Sequence, residues 1–397
     1  MAELDRIVKV NISRGFAGIT TRDFGMILLV GNRENFKPSV FEMESSVFTL
    51  RSLDEAKQYL KYNDYPAEIS DSLKSYSDNE LYQMLRIFFG MTGRPPRIKI
   101  AYLNDNENFS TAYKRIANHD NEWYYCVLSP SVRAKLDNDN DMNDMIGVFN
   151  NQFIEDVHFS VLQDTIGKNI AENAALTKLL RPTTKSSSAV GTVKNLLVLN
   201  ENSENNSLEK YFALGVAMAL AVREGGTYNP CYMSLPPAFK ADKLSSGTVK
   251  EIIRNNANCY HLLAGTTAFE NGRCTGTYVL GQEMKEETGE WVDTVVFIDL
   301  MRARLQEAIF GTLKSASDAR SKIPYTDKGI DVLDFKATTL LNQWVRNGQI
   351  VSFQPNHTPV SEVSSADKIN RRYDGLSYTA QLAGAINTVV INVNLED

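Results

Sequence analysis

The chain closes on TAQLAGAINTVVINVNLED, residues 379–397, and the end of that stretch reads as a β-strand. Val389, Ile391, Val393 and Leu395 alternate with Val390, Asn392 and Asn394. The opening carries the same signal, Val8, Val10 and Ile12 alternating with Lys9, Asn11 and Ser13. Chain ends of globular domains usually fray as polar tails. Two alternating ends need sheet partners: each other, interior strands, or a neighbouring subunit reached by strand addition. The last option makes the chain part of an assembly.

With 397 residues there is enough sequence for roughly two or three domains. Hydrophobic residues make up 43% and charged residues 23%, ordinary globular values that argue against wholesale disorder. The net charge is -6, from 42 basic and 48 acidic residues, and no Lys/Arg run has the density of a nucleic-acid or acidic-lipid patch. The longest apolar stretch, Phe212 to Val222, is about half of a bilayer crossing. Met1 is followed by Ala2, Glu3 and Leu4, not by a basic and then apolar leader, so the expectation is a soluble chain without a signal peptide. Cys126, Cys231, Cys259 and Cys274 are scattered without a C-x-x-C pair and read as reduced, mostly buried thiols.

Along the chain, Phe24 to Val30 is a second strand, closed by Gly31 and Asn32. A helix is expected from Ser52 to about Ile69, ended by Pro66, and another from Asp78 to Phe89, stopped by Gly90. Strands at Arg97–Leu103, Trp123–Leu128 and His158–Leu162, with a helix over Met142–Glu155, suggest a layered α/β insert. Thr183–Ser188 is the linker candidate and Asn200–Asn206 a polar loop. The small residues Ala213, Gly215, Ala217, Ala219 and Ala221 mark Leu208–Val222 as a tightly packed helix.

Near the C-terminus, Trp291–Ile298 reads as a strand, with Asp299 capping a helix striped by Met301, Leu305, Ala308, Ile309 and Leu313. Thr326 caps a second helix whose buried side is Ile330, Leu333, Ala337, Leu340, Leu341 and Trp344, and Gly348 stops it at a left-handed position. Asp327, Asp331 and Asp334 near its start and Arg346 at its end complement the helix dipole.

Signatures of chemistry are missing. There is no G-x-x-x-x-G-K-[ST] loop, no strand-linked G-x-G-x-x-G and no G-x-S-x-G elbow. The run Asp137, Asp139, Asp141 hints at a calcium loop, but Met142 stands where Gly is needed and Val148 where the bidentate Glu belongs. His119, His158, His261 and His357 lie far apart, with no i, i+4 pair for zinc. Asp293 and Asp299 could form an acid/base couple, although carboxylates near element ends are usually caps. The expectation is no catalytic residue, no cofactor and no metal.

Three segments of the C-terminal third, GEWVD (Gly289–Asp293), KIPYTDKGI (Lys322–Ile330) and TAQLAGAINTVVI (Thr379–Ile391), resemble the tail sheath proteins of contractile-tailed bacteriophages. IVKVNISRG (Ile7–Gly15) is similar to the same family's N-terminal arm. Residues 33 to about 200 match no named pattern. The resemblance implies a structural subunit that polymerises around a tail tube in stacked, hexameric rings and contracts to drive the tube through the host envelope. It implies strand exchange between neighbours through Val8, Val10, Ile12, Val389, Ile391, Val393 and Leu395. Tail tube, baseplate and tail terminator proteins are the implied partners, with no direct nucleic acid or membrane, in a virion tail assembled in the host cytoplasm. It also implies that a charged helix holds the tube, and here Asp327, Lys328, Asp331, Asp334 and Arg346 are the candidates; the simpler reading makes them solvated, dipole-complementing charges.

The reading is therefore a non-enzymatic, multi-domain α+β chain, with an inner α/β sheath domain built from both chain ends and an inserted outer α/β domain. Its segments are a 1–32 arm with the first inner strands, a 33–195 outer domain, a 196–300 middle domain and a 301–397 C-terminal inner domain. The alternatives are another phage tail or baseplate component and a cytosolic α/β hydrolase or nucleotide-binding enzyme.

Overall fold

The computed structural model describes residues 23–61, 79–137, 139–171, 176, 180, 191–192, 194–201, 208–275, 277–278 and 289–390. The chain forms two compact units, 1–303 and 304–397. Strands are numbered in chain order: β1 Ile27–Asn32, β2 Val47–Leu50, β3 Ile98–Leu103, β4 Tyr125–Leu128, β5 Phe159–Thr165, β6 Gly191–Thr192, β7 Asn195–Asn200, β8 Asn258–Leu263, β9 Thr266–Glu270, β10 Thr277–Tyr278, β11 Ile350–Pro355 and β12 Tyr378–Leu382.

The first unit is built on an eight-stranded sheet in the order β2-β3-β1-β4-β5-β7-β8-β9. Its interior pairings are parallel, and only the edge strands β2 and β9 run antiparallel to their neighbours. Strands such as IKIAYL and NLLVLN are buried along their whole length, as expected where helices cover both faces. Alternate residues feed different layers. Ile27 and Leu29 join a core with the helices Glu80–Gly90 and Phe212–Ala221, while Leu28 and Val30 join one with the helices Phe109–His119 and Ser246–Arg254. The Phe212–Ala221 helix is buried all round, and a Cβ on Gly215 would sit 2.6 Å from the Phe239 ring, so the small residues do serve close packing. All four cysteines are free and buried.

Several elements differ from the sequence reading. The helix from Ser52 ends at Tyr59, because Leu60 turns extended, pairs with Phe36 and is fully buried in the core. No strand forms at Trp291–Ile298. Val292–Asp318 is one helix, and Asp299 lies in its interior instead of capping it. Local β-branched propensity is overridden because Val292, Val295, Val296 and Ala303 recur at helical spacing and all face the first core. Asp299 falls on that same stripe. Its carboxylate is compensated by the buried Lys194 ammonium at 2.7 Å and by the Tyr124 hydroxyl, which donates at 2.9 Å. Between 223 and 288, where the sequence suggested no element, lie the Ser246–Arg254 helix and the β8–β9 hairpin.

The division at 1–32, 33–195, 196–300 and 301–397 also differs from the two units. β1 sits between β3 and β4, and β7, β8 and β9 extend the same sheet, so residues 27–32 and 196–270 belong with the supposed insert. Sheet order is a long-range property that chain order does not reveal. The Val8–Ile12 strand and the Thr183–Ser188 linker lie outside the described residues.

In the second unit, Thr326 accepts a hydrogen bond from the Gly329 amide and opens the Asp327–Arg346 helix, as its sequence indicates. Ile330, Ala337, Leu341 and Trp344 are its buried side, and Gly348, at φ 73°, ends it. A bulged antiparallel pair, β11 with β12, packs on this helix.

Candidate assembly interface

The C-terminal unit carries the features that could join one chain to another. β11 and β12 form a sheet of two strands only, with an open edge on each side among the described residues. Isolated two-stranded ribbons are marginal in water, so this one depends on the helix beneath it. Asp334, on that helix, is the anchor. One of its oxygens accepts the Tyr378 hydroxyl of β12 at 2.6 Å and faces His357 Nε2 at 2.7 Å. The Ser377 amide approaches His357 Nδ1 at 3.3 Å, which assigns Nδ1 as acceptor and Nε2 as the N–H donor to Asp334. Burial, with the Asp334 carboxylate beside it, pushes the Tyr378 phenol far above its ordinary range and keeps it a donor. Asp327 accepts the Val360 amide at 2.9 Å, and Tyr325 reaches the Arg372 carbonyl at 2.8 Å.

The helix therefore splits the five charged candidates. Lys328 and Asp331, three residues apart, and Arg346, near the far end of the helix, are all exposed on its outward side. Asp334, half-buried, and Asp327 are engaged within the unit, so the even placement of charges off the apolar stripe does not survive folding. The same outward stripe carries Val332 and Phe335, the latter 66% exposed. These the sequence reading passed over, although an apolar pair at i, i+3 opposite the buried side was there to be seen. Beyond β12, Ile386, Val389 and Val390 are 82%, 72% and 78% exposed and in no strand among the described residues. Ile391, Val393 and Leu395, with Val8, Val10 and Ile12, lie outside the described residues.

The place where an open α/β sheet most often binds ligands, the carboxyl ends at a switch of strand order, lies here between β1 and β4. It is closed by Glu80. That carboxylate accepts the Ser129 hydroxyl at 2.5 Å, the Ser131 amide at 3.0 Å and the Ser131 hydroxyl, and so fixes the chain entering the short Pro130–Arg133 helix. His158 stacks on Trp123 and engages both ring nitrogens, with the Trp123 carbonyl and the Asn121 side chain. Burial pushes the Cys126 and Cys274 thiols well up, away from the reactive thiolate. A cavity of about 100 Å³ lined by Leu208, Glu209, Phe212, Ala238, Phe239 and Lys240 is well below the ~300 Å³ at which small-molecule sites begin.

An open ribbon and exposed apolar residues beyond it are the features of this unit that a partner strand could cover. Residues 292–384 match the family of E217 tail sheath protein gp31-like C-terminal domains. The fold is similar to a chain of the anti-feeding prophage baseplate, six-fold symmetrised, at 10% identity and TM-score 0.59, covering 98% of this chain and 97% of that one. It is also similar to the anti-feeding prophage helical sheath in its contracted state, at 9% identity and TM-score 0.58 with the same coverage. The sheath tail protein Lin1278 from Listeria innocua is 9% identical at TM-score 0.49, covering 85% of this chain and 88% of that one. No curated protein matches. Residues 292–384 thus carry a tail sheath C-terminal domain, and the chain along nearly its whole length has a fold similar to that of the anti-feeding prophage chains.

Proposed function

We propose that the chain polymerises as six-fold stacked rings around a tail tube, and that its rings contract to drive the tube through the host envelope. Neighbouring subunits add their N- and C-terminal strands to the open edges of the β11–β12 ribbon. The observation that carries this reading is the presence, in one unit, of a sheet of two strands among the described residues and of three exposed apolar residues, Ile386, Val389 and Val390, that lie just beyond it. Strand addition satisfies the ribbon's edge amides and carbonyls and buries those side chains at once. Main-chain hydrogen bonds contribute about 0.5–1.5 kcal/mol each, so a strand of several residues holds a joint while the bodies it connects tilt.

In this reading Lys328, Asp331 and Arg346, interleaved with Val332 and Phe335, meet the tube. Ion pairs at such a rim are worth about 0–1 kcal/mol each, enough together to set register and weak enough to release. The subunit works in a virion tail put together in the host cytoplasm, beside tube, baseplate and terminator proteins, and catalyses nothing.

The test is removal of Ile386–Asp397, and separately of Met1–Ser13. Full-length protein should form long tubes in electron micrographs. Each truncated chain should keep its circular dichroism and run as a monomer in light scattering. Ordinary tubes from either truncation refute strand exchange.

A further inference from the structure

Away from the C-terminal unit, one group of ligand-type side chains meets on the edge hairpin β8–β9. Cys259 and His261 stand two residues apart on β8, so their side chains leave the same face of the strand. Glu270 of β9 is directly opposite Cys259 in the antiparallel register. One ligand-capable atom from each, a thiol sulfur, a ring nitrogen and a carboxylate oxygen, all lie within 4.8 Å of one another.

Burial distinguishes this trio from a solvated cluster. Cys259 is fully buried and His261 is 4% exposed, while the Glu270 side chain keeps 17% exposure and opens the group to solvent on one side. His261 Nε2 lies 2.6 Å from the Glu270 carboxylate. Its Nδ1 is buried without a hydrogen-bond partner. A hairpin pinned only by a histidine–glutamate contact leaves that nitrogen unexplained, since buried polar atoms are nearly always satisfied.

We propose that the β8–β9 hairpin binds one zinc ion through Cys259 Sγ, a ring nitrogen of His261 and the Glu270 carboxylate, with solvent water completing the coordination. Thiolate, imidazole and carboxylate together are a borderline-soft donor set that suits zinc and disfavours calcium or magnesium, which take oxygen ligands. Donors around tetrahedral zinc stand on the order of 3.5 Å apart, so the trio closes on an ion with small side-chain shifts. As the zinc–sulfur bond forms, the Cys259 proton passes to solvent, and the ion replaces it as the partner of Sγ. The consequence is structural: β9 is the last strand of the sheet, and the metal ties this edge to its neighbour. The sequence offered only a C-x-H pair, with Glu270 nine positions beyond His261, below any familiar zinc spacing.

Full-length protein, stripped of metal and dialysed, is titrated with zinc and with cobalt(II). The expected result is about one metal per chain by elemental analysis, a sulfur-to-cobalt charge-transfer band in the near ultraviolet, and a melting temperature that rises with zinc. Cys259→Ser should remove the band, and Cys231→Ser should keep it. His261→Gln, which retains the thiol, should lower zinc affinity at least tenfold. The proposal is overturned if wild-type protein takes up no zinc and gives no cobalt band, or if Cys259→Ser and His261→Gln bind as wild type does.

Discussion

Replacing Asp334 tests how the β11–β12 ribbon is held. Its carboxylate accepts from Tyr378 at 2.6 Å and from His357 at 2.7 Å, and its side chain is 29% exposed. Hydrogen bonds to a charged acceptor contribute about 1.5–3 kcal/mol each, and partial exposure places these near the lower figure. Asp334→Ala is then expected to weaken the ribbon by about 3 kcal/mol, and Tyr378→Phe by about 1.5 kcal/mol. With 1.4 kcal/mol per factor of ten, amide hydrogen exchange in β11 and β12 should accelerate roughly 100-fold and 10-fold respectively. The double variant should exchange like Asp334→Ala alone, since both changes remove the same bond. Amides of β3 and β4 in the other unit serve as the internal reference. Less than a threefold change in Asp334→Ala, or an equal effect from the exposed Asp331→Ala, would refute the anchoring role.

Four further outcomes are expected. Lys194→Met should cost about 3–5 kcal/mol in urea unfolding because it strands the buried Asp299 carboxylate, and Lys194→Met with Asp299→Leu should recover most of the loss. Gly329→Ala would drive a Cβ into the Pro324 carbonyl oxygen, so a loss of about 1–3 kcal/mol and reduced soluble yield should follow. Asp331→Lys with Lys328→Glu should leave unfolding unchanged within about 0.5 kcal/mol and still permit polymers without a tube, yet prevent extended sheath from forming on tubes. Contractible tails at normal yield from that variant would exclude this helix face as the tube contact. Burial raises the Asp293 carboxyl above its ordinary 3.8, so its contribution to stability is present below that pH and lost as pH rises through the folded value; Asp293→Asn should flatten this slope in denaturation midpoints measured from pH 4 to 7.

What the sequence determined by itself was local. The Asp327–Arg346 helix was legible from end to end because its signals are short-range: the Thr326 cap, an apolar stripe at helical period, and Gly348 where φ must be positive. Strands β1, β3, β4 and β5 were visible as apolar runs between turn residues, and the motifs of the C-terminal third pointed to the sheath family on their own. Tertiary structure decided what depends on distant partners. Val292–Ile298 carries strand propensity, yet it is helical because that spacing sets Val292, Val295 and Val296 into one core and brings Asp299 to Lys194, 105 residues earlier. Asp334 and Asp331 look alike in sequence, but only Asp334 meets a tyrosine 44 positions away. Cys259, His261 and Glu270 become neighbours through antiparallel register, and the β11–β12 ribbon, open at both edges among the described residues, exists only once the strands pair. Capping and periodicity act within a few residues and are written along the chain, whereas burial, charge compensation and strand order follow from which segments meet in space.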